Sequence, residues 1–252
     1  MSLKDKTAIV TGAARGLGQA YAVAFAGAGA NVVATDVADC ADTAALVAEA
    51  GGECLALHCN VADAASTAAM AAAVRERFGG ADILVNNAAL YGGLKGGRFD
   101  AISEDDWNRC MAVNVTGIWN ACKATVPLMR EKGGGSIINI ASLAATYGLA
   151  YALHYTTSKG AVIGLTRGLA RELGRDNIRV NAIAPSAVLT EGTREFFGDK
   201  YEKALGAIAG NQTLQKNLTT EDLVGTVLYL AGPGSAFVTG QTIAVDGGTV
   251  ML

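Results

Sequence analysis

The chain has 252 residues, 51% of them hydrophobic and 17% charged, with a formal net charge of −3. That charge, with no run of basic residues, argues against nucleic acid and anionic membrane surfaces as partners. The long uncharged stretches, 16–35 and 133–158, are broken by Gly, Asn, Gln, Ser and His, so they read as buried core and site wall, not as membrane spans.

The first element is a short apolar strand, Thr7–Val10, followed at once by Thr-Gly-Ala-Ala-Arg-Gly-Leu-Gly (11–18) and an Ala-rich helix to about Gly27. A second buried strand spans Asn31–Asp36. Helix Ala41–Ala50, strand Cys54–Cys59, helix Ala64–Phe78 and strand Ile83–Asn86 follow in turn. One long helix is expected over about Glu104–Arg130, then strand Ser136–Ile140, a helix starting near Tyr155, strand Arg179–Ala184 and a final strand Thr242–Val245. Apolar strands alternating with helices of ten or more residues predict an α/β fold with a parallel sheet covered on both faces. No Pro-, Ser- or charge-rich linker divides the chain, which predicts a single domain over residues 1–252. The N-terminal Met-Ser-Leu-Lys-Asp-Lys has no apolar signal region, so a cytoplasmic location is expected.

Cysteines 40, 54, 59, 110 and 122 form no C-x-x-C and read as buried thiols in a reducing compartment. The two histidines, His58 and His154, stand far apart without acidic neighbours at ligand spacing, so no metal site is expected. No G-x-S-x-G occurs, which removes the simplest serine-hydrolase chemistry.

Gly12, Gly16 and Gly18 lie between the first strand and the first helix. A pyrophosphate needs backbone amides at a helix N-terminus with no side chain in the way, which suits glycine. Asp36 ends the second strand, where a carboxylate can accept from both hydroxyls of an adenosine ribose. The pair predicts dinucleotide binding. A 2′-phosphate beside Asp36 would meet like charge, favouring NAD; Arg15 pulls the other way, because a guanidinium there could reach that phosphate. Asp36 carries more weight, since a flexible Arg15 can turn to solvent.

Tyr155 and Lys159 would lie one turn apart on one face of the helix that begins near Tyr155. A phenol titrates near ~10, too high for a base at neutral pH. A cation about 4 Å away, at an effective dielectric near 20, is worth roughly 4 kcal/mol, or about three pKa units. Such a lowered phenol would be a usable general base or acid. A second Y-x-x-x-K, Tyr91 to Lys95, contains adjacent glycines and reads as a loop.

Thr11–Gly18, Asn86-Asn-Ala-Ala89, Asn114, Ser142, Tyr155-x-x-x-Lys159 and Val245-Asp-Gly-Gly248 follow one another in an order and spacing that resembles the short-chain dehydrogenase/reductase family, in its NAD-dependent branch. The resemblance covers essentially the whole chain. It implies a doubly wound Rossmann-type domain with a seven-stranded parallel sheet and a tetrad of Asn114, Ser142, Tyr155 and Lys159. Tyr155 would exchange a proton with the substrate oxygen, Ser142 would hold that oxygen, Lys159 would bind the nicotinamide ribose and lower the phenol, and Asn114 would position a water relay. Leu17, Asn60, Val61, Asn87, Ala88, Pro185 and Thr190 would join the glycines, Arg15 and Asp36 around NAD, Asn87 through its backbone. The sequence departs from the family pattern at Asn60 (usually Asp), at Ala89 (usually Gly) and at Pro185-Ser186 (usually Pro-Gly).

The implied reaction is hydride transfer between NAD(H) and a secondary alcohol or ketone. The segment His154–Thr190 is similar to bacterial members acting on aryl or apolar alcohols. Substrate shape is expected from Tyr91–Leu94, Leu143–Tyr151, His154 and a lid over about 187–217, whose Phe196, Phe197 and Tyr201 could equally be anchors. No Arg or Lys clamp for a strongly anionic substrate stands out, although Lys95, Arg98 and Arg194 are near. The family also implies a homodimer or homotetramer. An NADPH-dependent 3-oxoacyl reductase of lipid synthesis is the enzymatic alternative, which Asp36 opposes. A non-catalytic dinucleotide sensor is the other, and would have no need of Tyr155 and Lys159 together.

Overall fold

A computed structural model of the chain describes residues 2–251. Its strands are β1 (Thr7–Thr11), β2 (Asn31–Asp36), β3 (Cys54–His58), β4 (Ile83–Asn86), β5 (Gly135–Ile140), β6 (Ile178–Pro185) and β7 (Thr242–Val245). All seven pair in parallel in one sheet ordered β3-β2-β1-β4-β5-β6-β7. This is the doubly wound Rossmann-type sheet, and its strand order reverses between β1 and β4, where Ala8 pairs with Ile83.

The strands are near-continuous apolar runs because both faces are covered. Val10, Val85, Ile138 and Ile183 pack on one side with Tyr21 and Phe25 of α1 (Gly16–Gly27) and with Val47 of α2 (Ala41–Glu49). Ile9, Leu84, Ile137 and Val180 pack on the other, against α3 (Ala64–Phe78). Alternate residues of a strand point to opposite faces, so each helix layer receives its own set.

Two departures from the sequence expectation bear on the site. The helix expected over Glu104–Arg130 is interrupted: α4 (Glu104–Met111) passes through a π-helical turn, Ala112–Thr116, into α5 (Gly117–Glu131). One wide turn changes the helical phase without breaking the rod, and period counting does not see it. After the short α6 (Ala144–Tyr147), the helix expected from Tyr155 begins two residues earlier, as α7 (Leu153–Leu173).

Between β6 and β7 lie three helices for which no boundaries were expected: α8 (Glu191–Phe197), α9 (Tyr201–Asn211) and α10 (Glu221–Ala231). Thr190 caps α8 by accepting from the Thr193 amide. The buried Leu223, Val227 and Leu230 of α10 complete the α1 side of the core. Their i, i+4, i+7 spacing was a legible signal.

Candidate active site

The C-terminal ends of β1, β4, β5 and β6 open on the crevice where the strand order reverses. At the end of β1 the backbone turns left-handed at Gly12 (φ +66°) and again at Gly16 (φ +58°), as L side chains rarely do. A Cβ at Gly12 would come within 2.7 Å of Ala88 Cα, so the turn also packs tightly on the end of β4. Gly18 has a different reason: its Cβ would collide with the Gly12 carbonyl.

Asn87 ties these pieces together. Its Nδ2 donates to the carbonyls of Thr11 (3.0 Å) and Gly12 (2.9 Å), while its backbone N–H and that of Ala88 both donate to Thr11 Oγ1 at 3.1 Å. The Asn87 N–H is thus engaged within the protein, and the amide side chain braces the turn. Asp36 faces the same turn, accepting from Ala14 N at 3.1 Å and Ala38 N at 3.0 Å.

On α7 the buried residues Tyr155, Lys159, Val162 and Thr166 form one stripe at helical spacing. Tyr155 and Lys159 thus point into the same space, beside Ser142 at the end of β5. The phenol is not lowered as anticipated: burial pushes Tyr155 well up, Tyr91 adds to this and the Ser142 hydroxyl opposes it. Lys159 Nζ donates to the Ile140 carbonyl at 2.7 Å and lies 5.7 Å from the Tyr155 ring centre. Burial draws the amine down to about 8. Desolvation is the largest cause of both shifts.

Asn114 sits in the π turn, fully buried, with Oδ1 accepting from Leu90 N at 2.7 Å and Nδ2 donating to Leu90 O (3.2 Å) and Ser158 Oγ (3.0 Å). It ties α7 and the loop after β4 together and makes no direct bond to Lys159.

A cavity of about 360 Å³ gathers Gly12, Arg15, Gly16 and Leu17 from the glycine turn, Asn87 and Ala88 from the end of β4, and Ser142, Tyr155 and Lys159. Pro185 and Thr190 close it from β6 and the start of α8. Gly18, Asp36, Asn60, Val61 and Asn114 lie outside this lining. Asn60 is exposed and accepts from Ala62 N at 3.1 Å, capping its own turn. Val61 is buried beneath Gly117, where a Cβ would come within 2.6 Å of Val61 Cγ2. His154, expected at the substrate wall, is instead fully buried away from the cavity. Glycine turn, facing carboxylate and open cavity fit a dinucleotide: the turn leaves room above Gly16, where the nearest atom to an added Cβ is Thr190 Cγ2 at 3.6 Å.

The family described as enoyl-(acyl carrier protein) reductase matches residues 12–250. The probable galactose dehydrogenase of Rhizobium meliloti is 37% identical over 249 residues, covering 98% of this chain and 95% of that one. The chain belongs to the short-chain dehydrogenase/reductase family. It is therefore an oxidoreductase of a class that uses a nicotinamide dinucleotide. The 3-oxoacyl-[acyl-carrier-protein] reductase of Thermotoga maritima is 35% identical, each chain covered in full. A structure from Agrobacterium tumefaciens, assigned as a 2-deoxy-D-gluconate 3-dehydrogenase with bound NADP, superposes with a TM-score of 0.88 at 34% identity, covering 98% of this chain and 97% of that one.

For this short-chain dehydrogenase/reductase, reasoning from sequence missed four contacts around the cavity. Tyr91, in the loop read as a chance Y-x-x-x-K, places its ring 5.0 Å from Tyr155 and stacks on Phe196 at 4.6 Å. Phe196 thereby anchors α8 to the site. Arg15, weighed as a free cation, is bound to Glu191 (2.9 Å) and Glu195 (2.7 Å) of α8. The only signal for that pair was two acids at i, i+4, which ordinarily marks a solvated face. Among the described residues, no group of His, Cys, Asp and Glu could hold a metal, and no helix is long and apolar enough to cross a membrane.

Proposed function

We propose that this chain interconverts a secondary alcohol and its ketone with NAD(H), with Tyr155 as the proton-exchanging residue. The observation that carries it is the convergence of Tyr155, Ser142 and Lys159 on one cavity that opens onto the glycine turn. Gly12, Gly16, Asp36 and Thr190 would hold the dinucleotide, which when bound supplies the hydride acceptor or donor. Ser142 would hydrogen-bond the substrate oxygen and hold it in line with the phenol. In reduction the neutral phenol of Tyr155 gives its proton to the forming alkoxide. In oxidation the phenolate takes the proton as hydride leaves the carbinol carbon. Lys159, turned from Ile140 toward the ribose, would place a cation beside that phenolate. Asn114 would act at one remove, by setting the position of α7.

NAD is favoured over NADP because Asp36 puts a negative charge at the ribose end of the glycine turn. The substrate end is walled by Tyr91, Leu143, Tyr147, Leu149 and Phe197, and Lys159 is the one lining cation without a carboxylate. An apolar or aryl alcohol suits these walls better than an anion. A segment from about 187 to 217, carrying α8 and α9, would serve as the lid. An NADPH-dependent 3-oxoacyl reductase is the second reading, supported by the Thermotoga maritima relative and opposed by Asp36.

A substrate panel followed by NADH absorbance, with Tyr155→Phe alongside, tests the proposal. The variant should bind NADH nearly as the parent does and lose turnover by about two to four orders of magnitude, the usual contribution of a positioned acid or base. Turnover kept at the parental rate would remove Tyr155 from the chemistry.

A further inference from the structure

The mouth of the cavity is crossed by a clasp. Arg15 leaves the glycine turn and meets α8: Nη1 donates to Glu191 Oε2 at 2.9 Å and to Glu195 Oε1 at 2.7 Å, and Nη2 donates to Glu195 Oε2 at 3.1 Å. An exposed single ion pair is worth little, but a two-pronged guanidinium–carboxylate contact shared with a second acid is the exception. The seat is shaped for it: Gly92 lies against Glu195, and a Cβ there would collide with that carboxylate. The residue before Arg15, Ala14, donates its amide to Asp36. The guanidinium therefore stems from the same corner at which Asp36 would meet the adenosine ribose.

An arginine in that corner is what a 2′-phosphate needs. Here its donors are spent on two glutamates from the other side of the mouth. We propose that Glu191 and Glu195 determine dinucleotide choice, by withholding Arg15 from the 2′-position and adding their charge to that of Asp36. The inference rests on the dinucleotide reading of the glycine turn. A 2′-phosphate reaching for Arg15 would have to break both carboxylate contacts and then lie beside Asp36. The 2′-hydroxyl of NAD needs none of this, so the clasp can stay shut over it.

The test is the dissociation constants of NADH and NADPH, read by cofactor fluorescence, for the full-length chain and for Glu191→Gln/Glu195→Gln, with and without Arg15→Ala. Glutamine keeps the shape at two solvent-exposed positions, so folding is preserved. The double variant should bind NADPH roughly ten- to a hundredfold more tightly, the value of one charge-assisted contact, with NADH nearly unchanged. Adding Arg15→Ala should erase the gain. NADPH binding that does not tighten, or that tightens equally without Arg15, would overturn the proposal while leaving NAD(H) binding intact. A parent chain that binds neither dinucleotide would overturn the proposed function as well. Amide hydrogen exchange of residues 191–197 in the cofactor-free protein gives a second readout. The double variant should exchange faster there, and unchanged protection would show that no clasp holds α8 in solution.

Discussion

Lys159 is an amine buried without a carboxylate partner, its Nζ donating one hydrogen bond to a carbonyl and its pKa drawn down to about 8. In the folded protein it loses its proton before it would in the unfolded chain, so the unfolded state binds more protons between about 8 and the ordinary lysine value of about 10.5. The cost of burying the charge is fully present below about 8 and fades as pH rises through that window. It is on the order of 3 kcal/mol. Lys159→Met should therefore stabilise the cofactor-free protein at pH ~7 by up to that amount, and the gain should shrink toward pH ~10. Denaturant unfolding of both proteins at the two pH values checks this; an equal gain at both would detach it from titration. Tyr155, pushed the other way by burial, keeps its proton at neutral pH. Ketone reduction should thus hold at neutral pH while alcohol oxidation climbs with pH, as profiles of kcat/KM in each direction would reveal. Gly18→Ala should lose NADH binding and well over 1 kcal/mol of stability, because its Cβ meets the backbone carbonyl of Gly12 and not the end of a flexible side chain.

At the scale of elements, the π turn decides where Asn114 points. An amide in the middle of a regular helix would have to compete with the backbone ladder. In the π turn it reaches out instead, to both backbone groups of Leu90 and to Ser158 of α7. Asn114→Ala would leave the part-buried Leu90 amide without its acceptor, which costs at most about 1–3 kcal/mol, the value for a fully buried group. Faster hydrogen exchange over residues 90–97, measured alongside the melting temperature, is the expected signature. Protection equal to the parent's would mean that α4 and α7 alone position this loop. The strands and most helices were legible because their signals are local: apolar runs bounded by glycine, and a glycine turn set between strand and helix. The π turn was not: Ala112–Thr116, though rich in weak helix formers, carries no local motif that distinguishes a wide turn from a regular one.

Across the whole molecule, several large apolar side chains remain on the surface. Trp119 of α5 is 50% exposed with Lys123 Nζ 3.8 Å above its ring, and Leu153 at the start of α7 is 42% exposed. We expect α5 and α7 to pair across a two-fold axis, giving a homodimer or homotetramer. Light scattering should report a multiple of the chain mass, and Trp119→Glu should shift it toward a single chain. A monomeric parent would refute the pairing.

The amino-acid order by itself determined the α/β alternation, the glycine turn, the carboxylate that ends β2 and the helical spacing of Tyr155 and Lys159, because each depends on neighbours within a few residues. Only the tertiary structure decided what surrounds them. The Ile140 carbonyl takes the Lys159 amine across 19 residues, and Glu195 takes the Arg15 guanidinium across 180. Contacts of that reach are set by how the helices lie on the sheet, and desolvation by the same packing turned two groups expected to be charged toward their neutral forms.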